Sequence, residues 1–195
     1  MSLKLTTDDL LSLEAYHLER GAFRDRAMAE KKRRRLDIGD HAHLYFENRV
    51  TMHYQVQEML RVEKIFDPEG IAEELSAYNP LIPDGDNFKA TMMLQYTDIA
   101  QRRAELARLI GIEDRIWVKV QGFDPVYAIA DEDMDRSSED KTSSVHFLRF
   151  QFDDAQVAAM KDGASLSAGI DHANYNFTVD PLPAALAEAL REDLA

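Results

Sequence analysis

His41–Phe66, HAHLYFENRVTMHYQVQEMLRVEKIF, decides how the rest of the chain is read. It holds neither Gly nor Pro, and Pro68 closes it. Asp40 stands just before it and offers a side-chain acceptor to the free amides of a first helical turn. The stretch therefore predicts one long helix. At about 100° per residue, Leu44, Met52, Val56, Met59, Leu60, Val62 and Phe66 share one broad apolar side. The opposite side carries Glu47, Thr51, Tyr54, Glu58, Arg61 and Ile65 at steps of three and four residues, flanked by Phe46 and Val50. A solvated face seldom mixes apolar residues with its charges in this way. The mixture implies a covered face on which Glu58 and Arg61 pair. The plainer alternative is a surface pair worth a few tenths of a kcal/mol. On one helix, Glu47 and Glu58 would stand about 16 Å apart along the axis. That is too far for a catalytic carboxylate pair, which needs roughly 5–9.5 Å, or for a shared metal.

The 195 residues suffice for one domain with a sizeable core, helical over about 1–80 and mixed over about 85–195. Net charge is −13, distributed unevenly. Residues 1–66 hold 12 Lys/Arg and 11 Asp/Glu, whereas residues 67–195 hold 11 and 25. The acidic part is a poor match for phosphate backbones, which weighs against nucleic acid. There is no cysteine, which excludes disulfides, thiolate zinc sites, cysteine-ligated Fe–S clusters and thiol catalysis. The first residues, MSLKLTTDDLLSLEAY, lack the apolar core of a signal peptide, and no apolar run reaches membrane-span length. A cytoplasmic protein is expected.

Along the chain, residues 7–20 predict a short helix with Leu10, Leu13 and His17 near one face. It contains Glu14-x-x-His17, half of a di-iron bundle motif, but the chain has no second copy, so a surface pair is the simpler reading. Residues 31–35, KKRRR, form the only basic run. Acids surround it, and its simplest role is to dock the acidic C-terminal part or an acidic partner. Residues 68–78 predict a helix with Pro68 in its first turn and Leu75 and Tyr78 inward. Tyr78–Gly85, YNPLIPDG, is a rigid corner between the helical and mixed parts, and such a loop can line a site.

Beyond the corner, strands are expected at 88–96, 115–122, 126–130, 142–152 and 164–171. Helices are expected at 97–110, capped by Thr97 and Gly111, and at 153–162, with a terminal one at 184–194. The 131–141 segment carries six carboxylates and lacks the glycine and terminal glutamate of a calcium loop, so it reads as flexible and solvated. On the strand 142–152, Val145, Phe147 and Arg149 share one face; His146, Leu148, Phe150 and Phe152 share the other.

His146 among apolar neighbours suits a hydrogen-bonded core residue as well as a ligand. Asp171-His172 at a strand end, with Tyr175 close behind, is more suggestive, since a carboxylate can orient an imidazole. Phosphate loops, G-x-G-x-x-G, G-x-S-x-G and H-E-x-x-H are all missing from the sequence. Four stretches, FENRVTMHYQVQEMLRVEK, YNPLIPDG, TSSVHFLRF and IDHANY, appear in this order across the chain. They resemble the bacterial family designated domain of unknown function 3501. The resemblance carries no activity and no catalytic residues. It implies an accessory role beside rubrerythrin-like proteins and Fe–S oxidoreductases, hence a redox-associated protein partner.

The fold expected is α+β: an N-terminal helical layer packed on a mostly antiparallel five-stranded sheet, with inserted and C-terminal helices. The function expected is that of a cytosolic binding or accessory protein without cofactor or metal, with a homo-oligomer left open. The rival is an enzyme or metal protein with a site of Glu58, Arg61, His146 and His172. Candidate binding residues are Glu47, Tyr54, Glu58, Arg61, His146, Asp171, His172 and Tyr175.

Overall fold

The computed structural model describes residues 4–138 and 140–195. Helix α1 spans Leu13–Arg33, and β1 (Arg35–Ile38) and β2 (Ala42–Phe46) form a hairpin after it. Helices α2 (Arg49–Glu63) and α3 (Pro68–Tyr78) complete the helical layer. The mixed part runs β3 (Asn87–Leu94), α4 (Ile99–Arg108), β4 (Ile116–Val120), β5 (Val126–Tyr127) and β6 (Ile129–Ala130). It continues through β7 (Val145–Gln151), α5 (Asp154–Lys161), β8 (Leu166–His172), β9 (Tyr175–Val179) and α6 (Ala184–Arg191).

The α+β architecture, with a helical layer against a five-stranded antiparallel sheet, is as expected, but β1 and β2 of the N-terminal part join that sheet, and the strands expected at 115–122 and 164–171 lie in a second sheet beside it. The first sheet has the order β1-β2-β3-β7-β6 and the second β5-β4-β8-β9, all neighbours antiparallel. The larger core lies between their inner faces. Leu44, Phe46, Phe88, Met92 and Phe150 from one sheet meet Ile116, Val118, Ala168 and Ile170 from the other. Helices α4, α5 and α6 close this core with Leu106, Met160, Leu186 and Leu190. The helical layer has a smaller core of its own, built on Leu5, Met52, Val56, Leu60, Leu75 and Ile82. Where the layer meets the sheet, Thr91 of β3 and Thr51 of α2 both donate to the buried Glu47 carboxylate, at 2.7 and 2.6 Å.

His41–Phe66 is not one helix. Its first part is β2, whose residues are covered on both faces and so lose the two-residue alternation that marks a half-exposed strand. Gly39, at φ 67°, turns the β1–β2 hairpin. The N-cap of α2 is Asn48, not Asp40: its side chain accepts from Thr51 N, while Thr51 Oγ1 accepts from Asn48 N. The expected helix at 7–20 is a short 3-10 turn, Thr7–Asp9, followed by the much longer α1. Asp98 rather than Thr97 caps α4, and Ile99 is exposed there. The 126–130 segment is split. β5 pairs with β4, β6 pairs with β7, and the chain passes from one sheet to the other through buried Ala128. The strand at 164–171 is not the last, because β9 follows through the two-residue loop Ala173-Asn174. Helices α3 and α5 lie at the expected places, α3 with Pro68 in its first turn and α5 with Asp153 as its N-cap.

Candidate functional site

A cleft of about 420 Å³ opens where the helical layer meets the five-stranded sheet. One wall is the end of α3 and the corner after it: Ser76, Ala77, Tyr78, Pro80 and Leu81. The sheet supplies Lys89 from β3 and Phe147, Leu148 and Arg149 from β7. Lys89 and Arg149 are direct cross-strand partners, so their side chains rise together from one face. The third wall is the acidic segment, with Glu132, Asp133 and Arg136.

The cleft is an apolar trough edged by charge. Arg149 holds Glu132 in a bidentate pair at 2.8 and 2.7 Å. Arg136 does the same with Asp133, both bonds at 2.6 Å, while its guanidinium lies 4.6 Å from the Phe147 ring centroid. Lys89 Nζ is 3.4 Å from Asp84 Oδ2, and Asp84 also faces Lys4 at 2.6 Å. Burial holds the Lys89 amine below the usual lysine range, against the pull of Asp84 and with the help of Lys4 and Arg149. Burial works against the Asp84 charge, yet Lys4 and Asn87 keep its carboxyl below the ordinary range. The hydrogen bonds from Arg149 lower Glu132, and those from Arg136 lower Asp133. Exposure sorts the two signs. The Lys89, Arg136 and Arg149 side chains are 11, 16 and 21% exposed, whereas Glu132 and Asp133 are 49 and 54% exposed. The cations belong to the wall and the acids to solvent.

A buried network anchors the acidic segment behind the cleft. Asp131, at φ 51°, contacts His146 Nδ1 at 2.5 Å and accepts from Phe147 N at 2.9 Å and Arg136 Nη1 at 3.2 Å. His146 Nε2 meets Thr142 Oγ1 at 2.8 Å, and Thr142 donates to Glu113 at 3.0 Å. Ser137 Oγ donates to the other Glu113 oxygen. The segment expected to be flexible and solvated is thus tied down at Asp131, Arg136, Ser137 and Thr142; Glu139 lies outside the described residues. The Asp131–His146–Thr142 order resembles a hydrolytic triad, but His146 is fully buried and Thr142 is 1% exposed, so no substrate reaches the hydroxyl here.

The candidate residues read from the sequence lie in separate places. Glu58 and Arg61 of α2 are paired at 3.2 Å, and α1 joins them through Arg20 and the buried Tyr16 hydroxyl, each 2.8 Å from Glu58. Tyr54 is half-buried on the same helix. Glu47 precedes α2 and is bound to the two threonines at the layer boundary. His146 faces the inter-sheet core, whereas His172 stands at the β8–β9 turn beside Ile110 O at 3.1 Å. Asp171 does not orient His172; it accepts from Tyr127 at 2.7 Å and faces Arg115 at 3.1 Å. Tyr175 rivets β9 to the β1–β2 hairpin, accepting from His41 N and Ala42 N at 3.0 Å and donating to Ile38 O at 2.7 Å. No three His, Asp or Glu side chains among the described residues are arranged to hold a metal.

Sequence reading missed Lys89, Arg136 and Arg149. The available signal was the rigid corner, together with Arg149 on the same strand face as Phe147. Two residues of the basic run reach the acidic C-terminal part, as expected: Arg33 binds Glu30 and Glu192, and Arg34 binds Glu30 and Asp193.

The sequence matches the family described as protein of unknown function (DUF3501) over residues 4–194. The chain belongs to this family. A crystal structure of a novel protein of unknown function from Burkholderia pseudomallei is 51% identical in sequence, with a TM-score of 0.93. The alignment covers 98% of this chain and 100% of that one. Comparison with curated proteins gives no match. Family membership brings no assigned activity, so the cleft has to be read from its own chemistry. No helix among the described residues is long and apolar enough to cross a membrane.

Proposed function

We propose that the protein is a binding protein for a small organic anion with an apolar body, held in the cleft between helical layer and sheet. The observation that supports this most is the sorting of charge at the cleft: shielded cations on the wall, exposed carboxylates opposite them, and Phe147, Leu148, Tyr78 and Leu81 beneath. An arginine fork fits a carboxylate or phosphate in two parallel hydrogen bonds. A ligand anion would replace Glu132 on Arg149 and release that side chain to water, while its apolar part fills the trough. The cleft volume falls within the range common for small-molecule sites, about 300–1,000 Å³.

Phenylacetate is a suitable probe, with one carboxylate and one aromatic ring. Titration followed by NMR should give saturable shifts at Phe147, Tyr78 and Arg149, and Arg149→Gln should abolish them. Shifts spread over the surface without saturation would overturn the reading.

The cytosolic, redox-associated setting implied by the family resemblance belongs to the same proposal, with the protein as an accessory that carries or senses the anion for a partner. Of the basic run, Arg33, Arg34 and Arg35 face internal acids, which leaves Lys31 and Lys32 for steering an acidic partner. Pull-downs at about 0.1 and 1 M salt test this, since the Debye length falls from about 10 to 3 Å. A rubrerythrin-like or Fe–S protein recovered at low salt only supports it; recovery of neither at either salt removes it.

A further inference from the structure

We infer that the cleft takes an α-oxo acid and that Lys89 captures it covalently as an imine; this rests on the binding reading above and adds a reaction to it. Three features of the site meet the requirements of that chemistry. A lysine becomes nucleophilic when it is desolvated or set beside another cation. Lys89 is 11% exposed, opens into the cleft, and lies directly opposite Arg149 across the β3–β7 ladder. The substrate also needs its carboxylate fixed so that the carbonyl carbon, one bond away, faces the amine. Arg149 is the fork nearest to Lys89 in the register, and the Glu132 it now holds is exposed and replaceable. Finally, proton traffic needs a carboxylate at the amine. Asp84 Oδ2 is 3.4 Å from Lys89 Nζ and accepts from Asn87 Nδ2 at 3.0 Å, while Lys4 holds the other oxygen, Oδ1, at 2.6 Å. Burial also biases the Lys89 ammonium toward the free amine.

The step balances without a further reactant. The ammonium passes a proton to Asp84, and the nitrogen lone pair attacks the carbonyl carbon. The carbonyl π pair moves to oxygen, which takes a proton from the now cationic nitrogen to give a neutral carbinolamine. The C–O bond then breaks, the nitrogen lone pair forms C=N, and the oxygen leaves as water after receiving the proton held by Asp84. In sum, one ammonium and one carbonyl give one protonated imine and one water, with no change in oxidation state.

Phenylpyruvate, which adds a carbonyl to the phenylacetate framework, is the probe, with borohydride added to reduce the imine to a stable secondary amine. Intact-mass and peptide analysis should find one adduct per chain, on Lys89. Excess phenylacetate should suppress it at least tenfold. Lys89→Arg should lose the adduct. Site-resolved labelling of the unaltered protein keeps the test independent of whether that variant folds. Labelling spread over surface lysines such as Lys32, or no labelling while phenylacetate still binds, would overturn the imine and leave the binding reading standing. Failure of phenylacetate to bind would remove both.

Discussion

Arg34 and Asp193, 159 residues apart in sequence, meet in a bidentate pair with both bonds at 2.7 Å. Arg34 is 1% exposed and also donates to Ala189 O at 2.7 Å, so the end of α1 and the residues after α6 share one buried charge centre. Removing the acid alone leaves the buried guanidinium with Glu30 as its remaining carboxylate, at 2.7 Å, and two of its donors without theirs. Asp193→Ala should therefore lower stability by about 3 kcal/mol, seen as a lower urea midpoint at unchanged slope. The double variant Arg34→Met with Asp193→Leu should recover most of the loss, because two apolar groups there leave no charge unpaired. A single variant that unfolds at the midpoint of the parent would show that the pair contributes nothing.

Glu58 makes the acid side of the stability curve predictable. The hydrogen bonds from Arg20, opposed by burial and joined by Arg61 and Tyr16, lower its pKa from 4.5 to about 2. A carboxylate lowered on folding contributes stability that is present above its unfolded value and is lost as pH falls through the folded one. The contribution should thus be whole above about pH 4.5 and gone near pH 2. Both arginines are exposed enough for solvent to screen them, so the main loss in Glu58→Ala is the bond from buried Tyr16. About 1–3 kcal/mol is expected at pH 7. Denaturation at a series of pH values should show variant and parent converging at the acid end. A constant gap down to pH 2 would place the effect elsewhere.

Tyr175 connects the edge of one sheet to the hairpin of the other through a single hydroxyl. Tyr175→Phe leaves two backbone amides and the Ile38 carbonyl without their partner. The expected loss is about 2 kcal/mol, with faster amide exchange at His41 and Ala42 as its local signature. Gly39→Ala should cost at least as much, for two reasons. Its φ of 67° disfavours a side chain, and an added Cβ would lie 2.7 Å from the Tyr175 hydroxyl. Unchanged exchange at His41 in the phenylalanine variant would show that the rivet does not hold the hairpin.

The physical limits of sequence reading appear at particular residues. Val145–Gln151 alternates buried and half-buried, so β7 and the inward side of His146 were legible from period two alone. Ala42–Phe46 has the other environment: with both faces covered, apolar residues follow one another and imitate a helix. The cues that would have separated β2 from α2 were local ones, the Gly39-Asp40 turn and the Asn48-x-x-Thr51 capping pair. The first helix was cut short because Gly21 and the charged residues after it carry little periodicity, and the packing of α1 on α2 compensates for that. The pairing of Glu58 with Arg61 followed from spacing, since residues three apart on a helix are neighbours. The cleft was not legible. Lys89 and Arg149 come together only through the β3–β7 register, and Arg136 only through the Asp131–His146 anchor.

The anchor itself gives a test. Asp131→Ala would leave buried His146 Nδ1 and Phe147 N unpartnered, with a methyl side chain at φ 51°. About 3 kcal/mol of destabilisation is expected, whereas Asp131→Asn, which tolerates the left-handed region and keeps an acceptor, should lose less. Arg136 would lose one of its two carboxylates in both variants. Equal losses from alanine and asparagine would mean that the side-chain oxygens do not hold the segment.

The last prediction separates a built-in competitor from a structural pair at the cleft. Glu132 occupies the Arg149 fork and is 49% exposed, so it resembles the anion that the cleft is proposed to take. If it competes, weakening it must strengthen the ligand. Glu132→Gln removes the charge but keeps the shape, and the affinity for phenylacetate should rise several-fold, about 1 kcal/mol, the scale of an exposed ion pair. Arg149→Gln should remove binding in either background, since it deletes the fork that both anions use. Salt should separate the two proteins as well. In the parent, added salt weakens both the internal pair and the ligand contact, so affinity changes little. In Glu132→Gln only the ligand contact is left, and affinity should fall steadily between about 0.1 and 1 M salt. Calorimetric titration of both proteins across that range measures all of this. An unchanged or weaker affinity in Glu132→Gln would mean that the carboxylate helps to shape the cleft rather than to occupy it.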